Sequence, residues 1–477
     1  MKIWKITAVL CCLIMAFSLV GCKRSAQPVD TIDVSEGEVP YTGGTHVFNI
    51  KKTNRNIVEN GKSEYKIVVP ADAESEITVA ADEIKVWVQK STGVILETLT
   101  DADAAWSSSA KYISLGDTKT AEAAGVALTE EVGFSGYQIK SKGECVFVLG
   151  ETDSGVLFGA YELLYDLVNF RAYSSDEYAY DEKTETAFSE YDVTDIPDFN
   201  YRVTAYGLST NDAYLARRLR YNQSDDVWIP VDGSTWHNTF KYLPPETYKT
   251  EHPKWYSGDG TQLCFLAHGD EAEAEELYQT LLAKLISCLE EYPDRQNITI
   301  TQEDKRTWCD CAACKENLQK YGTDAATVVQ FCNRIAEDVE KYFAEKNSSR
   351  QVNICFFAYH MTTNAPVIKN ADGSYSPVDD SVVCRDNVCV FYAPIDADYS
   401  HSFYETENAS FAETMDAWRA LSDKLYLWLY STNFHYYLYP FNSFNSMQGN
   451  YWFALNRGGS YMFDQGQWNN SNSTGWG

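Results

Sequence analysis

Apolar and polar positions follow two rhythms along this chain. From Glu64 to about Tyr180, short apolar runs bounded by Gly and polar turns predict strands at Tyr65 to Pro70, Lys111 to Gly116, Gly136 to Lys140 and Cys145 to Gly150. Ile77, Ala80, Ala81, Ile84 and Val88 recur at helical spacing, with Trp87 adjacent, and predict an amphipathic helix that stops at Ser91-Thr92-Gly93. A second helix carries Val156, Leu157, Ala160, Leu163, Leu164 and Leu167. Its Gly155 and Gly159 stand four apart, a spacing that lets a helix press closely on a sheet. Residues 63–190 therefore read as a small α+β domain with helices on a sheet face.

After Asp195-Ile-Pro-Asp-Phe199 the pattern changes to strand and helix in turn, and residues 195–477 form a second unit. Strands are predicted at 202–206, 226–231, 262–268, 297–302, 352–359, 387–393, 424–430 and 459–464, with helices such as 271–291 and 324–345 between them. Eight strands with intervening helices predict an α/β fold, a (β/α)8 TIM-type barrel whose site collects at the C-terminal strand ends. The competing architecture is an open doubly wound sheet, against which stands the lack of a Gly-rich phosphate loop after any strand. The chain ends at Gly477, soon after the eighth strand, so the barrel is expected to lack its last helix, as a C-terminally truncated product would.

The start of the chain follows neither rhythm. Lys2 and Lys5 precede an apolar run from Ile6 to Val20 that meets Gly21-Cys22, so residues 1–22 read as a lipoprotein signal peptide with Cys22 as the lipidated residue. The alternative is an uncleaved membrane anchor. Both place the body outside the cytoplasmic membrane, and the lipoprotein reading ties it to the bacterial cell membrane through an N-terminal lipid. Residues 23–62 read as a tether and lead-in. The formal charge is −29, from 68 acidic against 39 basic residues, which excludes nucleic acid as a partner because no long basic run offsets it. The 33 Tyr, 22 Phe and 12 Trp suit a carbohydrate substrate, since sugar C–H faces pack on rings, or else they fill a large core.

A barrel brings the residues just past each strand to one mouth. These include Trp236 and His237, His268, Glu303 and Asp304, Tyr359 and His360, Asp396, Asp398 and His401, Trp428, Tyr430, Asn433 and His435, and Asp464. Glycosidic cleavage uses two carboxyl groups, one to protonate the leaving oxygen and one as nucleophile, base or support. Asp304 or Glu303 is the candidate acid, and Asp396, Asp398 or Asp464 its partner. A helix N-cap or first-turn acid is the plain structural alternative for the first two. Trp236, Trp428 and Tyr430 are candidate stacking platforms. His237, His268, Tyr359, His360, His401 and Asn433 are candidate hydroxyl ligands, and Arg202, Arg217, Arg218 and Arg220 could hold a carboxylate locally.

Trp308-Cys309-Asp310-Cys311-Ala-Ala-Cys314 places three cysteines in a polar loop, where core packing does not account for them. They could hold a structural zinc with Cys332, Cys264 or His268 as fourth ligand, or form one disulfide with a third Cys bonded elsewhere. A catalytic metal is disfavoured because three thiolates leave it electron-rich and closed. Catalysis itself is expected to need no cofactor.

Two resemblances follow from these residues. Glu151-Thr-Asp-Ser-Gly155-Val-Leu-Phe-Gly159-Ala-Tyr-Glu-Leu163-Leu164, after the Gly136-Tyr137 strand, resembles the accessory domain that precedes the barrel in family 67 α-glucuronidases and family 20 hexosaminidases. Ile298 to Asp304 with the Cys309, Cys311, Cys314 run, then Ala358-Tyr359-His360 with Pro366, Asp396-Ala-Asp398-Tyr-Ser-His401, and Leu427-Trp428 to Phe434, is similar to a bacterial glycosidase-like family, domain of unknown function 4838. The resemblance implies a two-domain, glycosidase-like plan. Family 20 enzymes carry Asp-Glu after strand four. The order Glu303-Asp304 is reversed, which argues against substrate-assisted hexosaminidase chemistry. The expectation is a surface glycoside hydrolase acting on a polysaccharide or host-glycan fragment, with a catalytically inactive glycan-binding lipoprotein as the main alternative and a metal-dependent hydrolase as the third.

Overall fold

The structure, a computed structural model, describes residues 38–436, 439 and 441–467. The predicted signal with Cys22, the first part of the predicted tether and the last residues of the chain, on which the reading of a missing last helix rests, lie outside the described residues.

Strands β1 (Thr45–Val58), β2 (Lys66–Val69), β3 (Glu97–Thr100), β4 (Tyr112–Leu115), β5 (Tyr137–Lys142) and β6 (Cys145–Leu149) are followed by a small hairpin, β7 (Arg171–Ala172) and β8 (Tyr178–Ala179), and by β9 (Thr186–Ile196). Seven of them form one mixed sheet in the order β1-β9-β5-β6-β4-β2-β3. The pleat of β6 shows how both faces are covered. Val146 and Val148 pack with helices Ser75–Thr92 and Asp153–Val168, while Cys145, Phe147 and Leu149 pack with helix Lys119–Ala124 on the other side. The close helix approach predicted for Gly155 and Gly159 is present: an added Cβ would stand 2.4 Å from the Gly136 carbonyl oxygen and 2.6 Å from Val148 Cγ1, respectively. Strand β1 corrects the reading of residues up to 62 as lead-in, because it pairs antiparallel with β9 from Thr45–Ile196 to Lys52–Ser189. Its side chains are mostly polar and only its last two residues are buried, so no apolar alternation announced it.

The second unit contains β10 (Tyr201–Thr204), β11 (Trp228–Ile229), β12 (Asn297–Thr299), β13 (Asn353–Ala358), the separate hairpin β14 (Val367–Lys369) and β15 (Tyr375–Pro377), then β16 (Val388–Tyr392), β17 (Leu425–Tyr430) and β18 (Gly459–Gln465). Its seven-stranded sheet is parallel throughout, in the order β10-β18-β17-β16-β13-β12-β11. The sheet curls like a TIM-type barrel, since Trp228 Nε1 on one end strand donates to Tyr461 Oη on β18, 2.8 Å away across the interior. Helices Glu271–Glu291, Ala325–Glu345 and Ala409–Arg419 cover the outside with the large apolar cluster of the unit. A second cluster of rings, among them Trp228, Phe357, Phe391, Tyr426, Tyr461 and Phe463, fills the inside. The α/β class and barrel curl agree with the sequence reading, but the predicted strand at 262–268 is a loop. Leu263, Cys264 and Phe265 are buried, as their apolar run suggests. Ala267, His268 and Gly269, however, all take positive φ, which no strand tolerates, and β12 pairs directly with β11.

Three of the four arginines considered as carboxylate ligands join the two units instead. Arg218 makes two bonds to Glu83, at 3.0 and 2.8 Å, Arg220 pairs with Glu162 and Arg217 with Glu76. Arg202 donates to the carbonyls of Phe199 and Arg220.

Candidate active site at the barrel mouth

Alternation along the strands decides which side chains reach the mouth. On β13 and just beyond, Phe357 and Tyr359 point inward, and on β17 Trp428 does the same. Past β16 come Ala393 and Ile395, and on β18 Phe463 and Gln465. Together with Trp236, His237, Asp304, Tyr430 and Phe434, most of these enclose a chamber of about 420 Å³. That lies within the range of ordinary small-molecule sites, about 300 to 1,000 Å³. Trp236 and Trp428 meet edge to face at 5.2 Å between ring centres, and Trp428 packs on Phe463 at 4.1 Å. Among the described residues, the buried indole N–H of Trp428 has no acceptor.

Among the described residues, Asp304 is the carboxylate that lines this chamber. Its Oδ1 accepts from Tyr359 Oη at 3.3 Å and lies 3.7 Å from His360 Nε2, while its side chain remains 62% exposed. Burial, with the charge of Asp304 second, holds the Tyr359 phenol above its usual range, so it stays a proton-bearing donor. Burial also lowers His360, helped by the Arg306 guanidinium and opposed by Asp304 and Asp396, so His360 favours its neutral form. His237 Nδ1 donates to the Gln302 carbonyl at 2.7 Å, which leaves Nε2 of the neutral ring as an acceptor. His237 and His360 both sit at positive φ, 50° and 51°, conformations that cost energy for a non-glycine residue and are held by their surroundings.

Glu303 points elsewhere. Its Oε1 accepts from Thr239 Oγ1 at 2.8 Å and from the Phe240 N–H at 2.9 Å, and it does not line the chamber. Asp396 stands in a neighbouring crevice of about 190 Å³, which shares Ala393 and Ile395 with the chamber, and it faces Arg306 at 3.4 Å. Asp398 closes its own loop: it accepts from the Ser400 N–H and hydroxyl and from His401, and the Ser400 hydroxyl foremost keeps it below the usual carboxylate range. His401 belongs to that loop pair and Asn433 caps its own turn by accepting from the His435 and Tyr436 N–H groups, so neither lines the chamber. Asp464 is on the outward face of β18, where it accepts from Tyr451 Oη at 2.6 Å. Burial raises its carboxyl above the ordinary range.

His268 is displaced as well. It bonds the Tyr256 carbonyl at 2.8 Å beside Cys264, away from the chamber. The three predicted cysteines gather with Cys264, their four sulfurs all within 4.8 Å of one another. Sequence reading gave no role to Phe357, Ala393, Ile395, Phe434 or Gln465, all of which line the chamber. The inward alternation with Tyr359 would have flagged Phe357, and the same alternation from Phe463 would have preferred Gln465 to Asp464.

Comparison with known proteins adds the following. The family described as Domain of unknown function (DUF4838) matches residues 172–476, and the Glycosyl hydrolase family 67 N-terminus matches residues 51–163. No curated protein matches the chain. Among solved structures, the GH20 β-N-acetylhexosaminidase from Streptomyces coelicolor A3(2) is 13% identical, over 89% of this chain and 86% of that one, with a TM-score of 0.46. A family GH115 4-O-methyl-α-glucuronidase with specificity for decorated arabinogalactans is 12% identical, over 87% of this chain and 54% of that one, with a TM-score of 0.45. The structure called CpGH84D is 11% identical, over 80% and 59%, with a TM-score of 0.43. The chain thus spans little more than half the length of the last two.

Proposed function

This chain belongs to the DUF4838 family, and on that footing we propose that it is a glycoside hydrolase of the cell surface, with Asp304 as its proton donor. One observation carries the reading: a chamber walled by Trp236, Trp428, Tyr430 and Phe434 holds, among the described residues, a single carboxyl group at its edge, and a phenol donates to that group with an imidazole 3.7 Å away. The rings suit the C–H faces of a sugar, His237 and Gln465 its hydroxyls, and Asp304 the glycosidic oxygen. Asp396 is the partner carboxylate. It shares two wall residues with the chamber, and its charge reaches the same Tyr359, His360 and Tyr430 as that of Asp304. The chemistry calls on no cofactor. Attachment through a lipidated Cys22 would keep the chamber outside the membrane, where polysaccharides are met.

A panel of aryl glycosides with the purified protein, Asp304→Asn and Asp396→Asn tests this. A positioned general acid contributes about 10² to 10⁴ in rate, so Asp304→Asn should lower turnover by that factor while ligand affinity survives. Turnover indifferent to Asp304→Asn would overturn the assignment. A second reading, glycan binding without hydrolysis, is favoured by one observation: among the described residues, Asp304 is the one carboxylate in the chamber wall. Saturable glycan binding with no turnover on the whole panel would select it.

A further inference from the structure

The loop that carries Asp304 is held at three points, and the third is chemically unusual. Glu303 anchors it through Thr239 and Phe240. Gln262, 1% exposed, clasps the Glu303 backbone with both ends of its amide, accepting from the N–H at 3.0 Å and donating to the carbonyl at 2.8 Å. Two residues beyond Gln262, Cys264 meets Cys309, Cys311 and Cys314, so the same pair of loops is joined a second time by sulfur.

Cys264 Sγ stands 3.9 Å from Cys311 Sγ and 3.7 Å from Cys314 Sγ. A zinc ion bound by four thiolates at about 2.3 Å in a tetrahedron sets its sulfurs about 3.8 Å apart. These two edges already match a tetrahedral four-sulfur site, and all four sulfurs lie within 4.8 Å of one another. Cys264, Cys309 and Cys314 are buried, with Leu266 and Trp308 packed against them, so water is largely kept from the centre. Backbone N–H groups point at two of the sulfurs, His268 at Cys264 and Cys314 at Cys311. Cys311 also caps the N-terminus of helix Ala312–Tyr321, an end that favours negative charge. Donors of this kind stabilise thiolates over thiols.

We propose that Cys264, Cys309, Cys311 and Cys314 bind one zinc ion in a closed, four-thiolate site that holds the Asp304 loop in place. With four protein ligands the metal has no open position, so it takes no part in catalysis and acts by fixing the loop. The proposal stands on the cluster alone and does not require the hydrolase reading.

Elemental analysis of the full chain, purified without chelator, should find about one zinc per molecule. Cobalt in its place should give thiolate-to-cobalt charge-transfer bands and the intense visible bands of a tetrahedral four-sulfur centre. Cys264→Ser and Cys311→Ser should lose the metal, whereas Cys288→Ser, on helix Glu271–Glu291, should keep it. Because a ligand variant can fail to fold, the unsubstituted protein carries a second measurement: its four cluster thiols should resist alkylation until a mercurial releases zinc. Disulfides mapped among the four cysteines, iron in place of zinc, or reduced protein that takes up neither zinc nor cobalt would each overturn the proposal. None of these readouts depends on turnover, so loss of glycosidase activity across the panel would leave the site standing, and the reverse.

Discussion

Replacing Glu303 with alanine removes the acceptor from two donors at once, the Thr239 hydroxyl and the Phe240 N–H, at 2.8 and 2.9 Å. Thr239 is 1% exposed, so water does not readily replace the lost partner. Hydrogen bonds to a charged group contribute about 1.5 to 3 kcal/mol each. Glu303 keeps part of its side chain in solvent, which screens the charge, so the lower end applies and the pair comes to about 3 kcal/mol. That is a change of roughly 100-fold in the folded-to-unfolded ratio. Glutamine keeps an oxygen where both donors point and gives up only the charge, a loss of about 1 kcal/mol. Urea denaturation followed by circular dichroism should therefore show a clear fall in midpoint for Glu303→Ala and a small one for Glu303→Gln. Turnover of Glu303→Gln on the best aryl glycoside should remain within a few-fold of the parent. A Glu303→Gln protein of unchanged stability and no turnover would refute the structural role and return Glu303 to the chemistry. An alanine variant of full stability would refute the clasp.

Burial favours the neutral form of Asp464, so it titrates above the carboxyl of an unfolded Asp, whose ordinary value is about 3.9. The folded state then binds the proton more tightly, so this group's contribution to stability falls as pH rises through that window and stays lower at neutral pH. Asp464→Asn, which keeps an acceptor for Tyr451, should melt higher than the parent at about pH 7, with the difference closing toward about pH 4 in a thermal series. Loss of turnover in that variant would show that the outward placement misjudges its role. Arg218→Met should strand Glu83, whose side chain is 8% exposed, and lower stability by about 3 kcal/mol. The double variant with Glu83→Gln should recover part of that loss in the same denaturation assay, and failure to do so would mean that the pair is not coupled.

The two-part plan was legible because helix and strand periods are properties of local sequence. The amphipathic spacing of Ile77 to Val88 follows from burial on one side of a helix, and the apolar runs of β13, β16 and β17 from burial on both faces of the parallel sheet. What failed depended on partners far along the chain. The run Leu263-Cys264-Phe265 is apolar because it is buried, but Gln262 just before it clasps the Glu303 backbone and Cys264 within it meets three cysteines some 50 residues on, which no period encodes. Strand β1 has the opposite character: ladder hydrogen bonds to β9 hold it, and such bonds leave no trace in side-chain polarity. Of the residues read from strand ends, Asp304, Trp236, His237, Tyr359, Trp428 and Tyr430 line the chamber. Asp398 and Asn433 also follow strands, yet each bonds its own loop, and Asp464 sits one residue out of phase with the inward positions. The four-sulfur cluster was three-quarters visible, since C-x-C-x-x-C is local and Cys264 is not.

Beneath the chamber, Trp228, Trp236 and Trp428 touch in series, with ring centres 4.9 Å and then 5.2 Å apart. Indoles this close share excitation, so light absorbed by Trp228 in the closed interior can be emitted by Trp428 at the chamber wall. A sugar seated on Trp428 changes the surroundings of the emitter for the whole series. Occupancy of the chamber should therefore announce itself in the intrinsic fluorescence of the protein, and an unlabelled titration can rank glycans before any product is known.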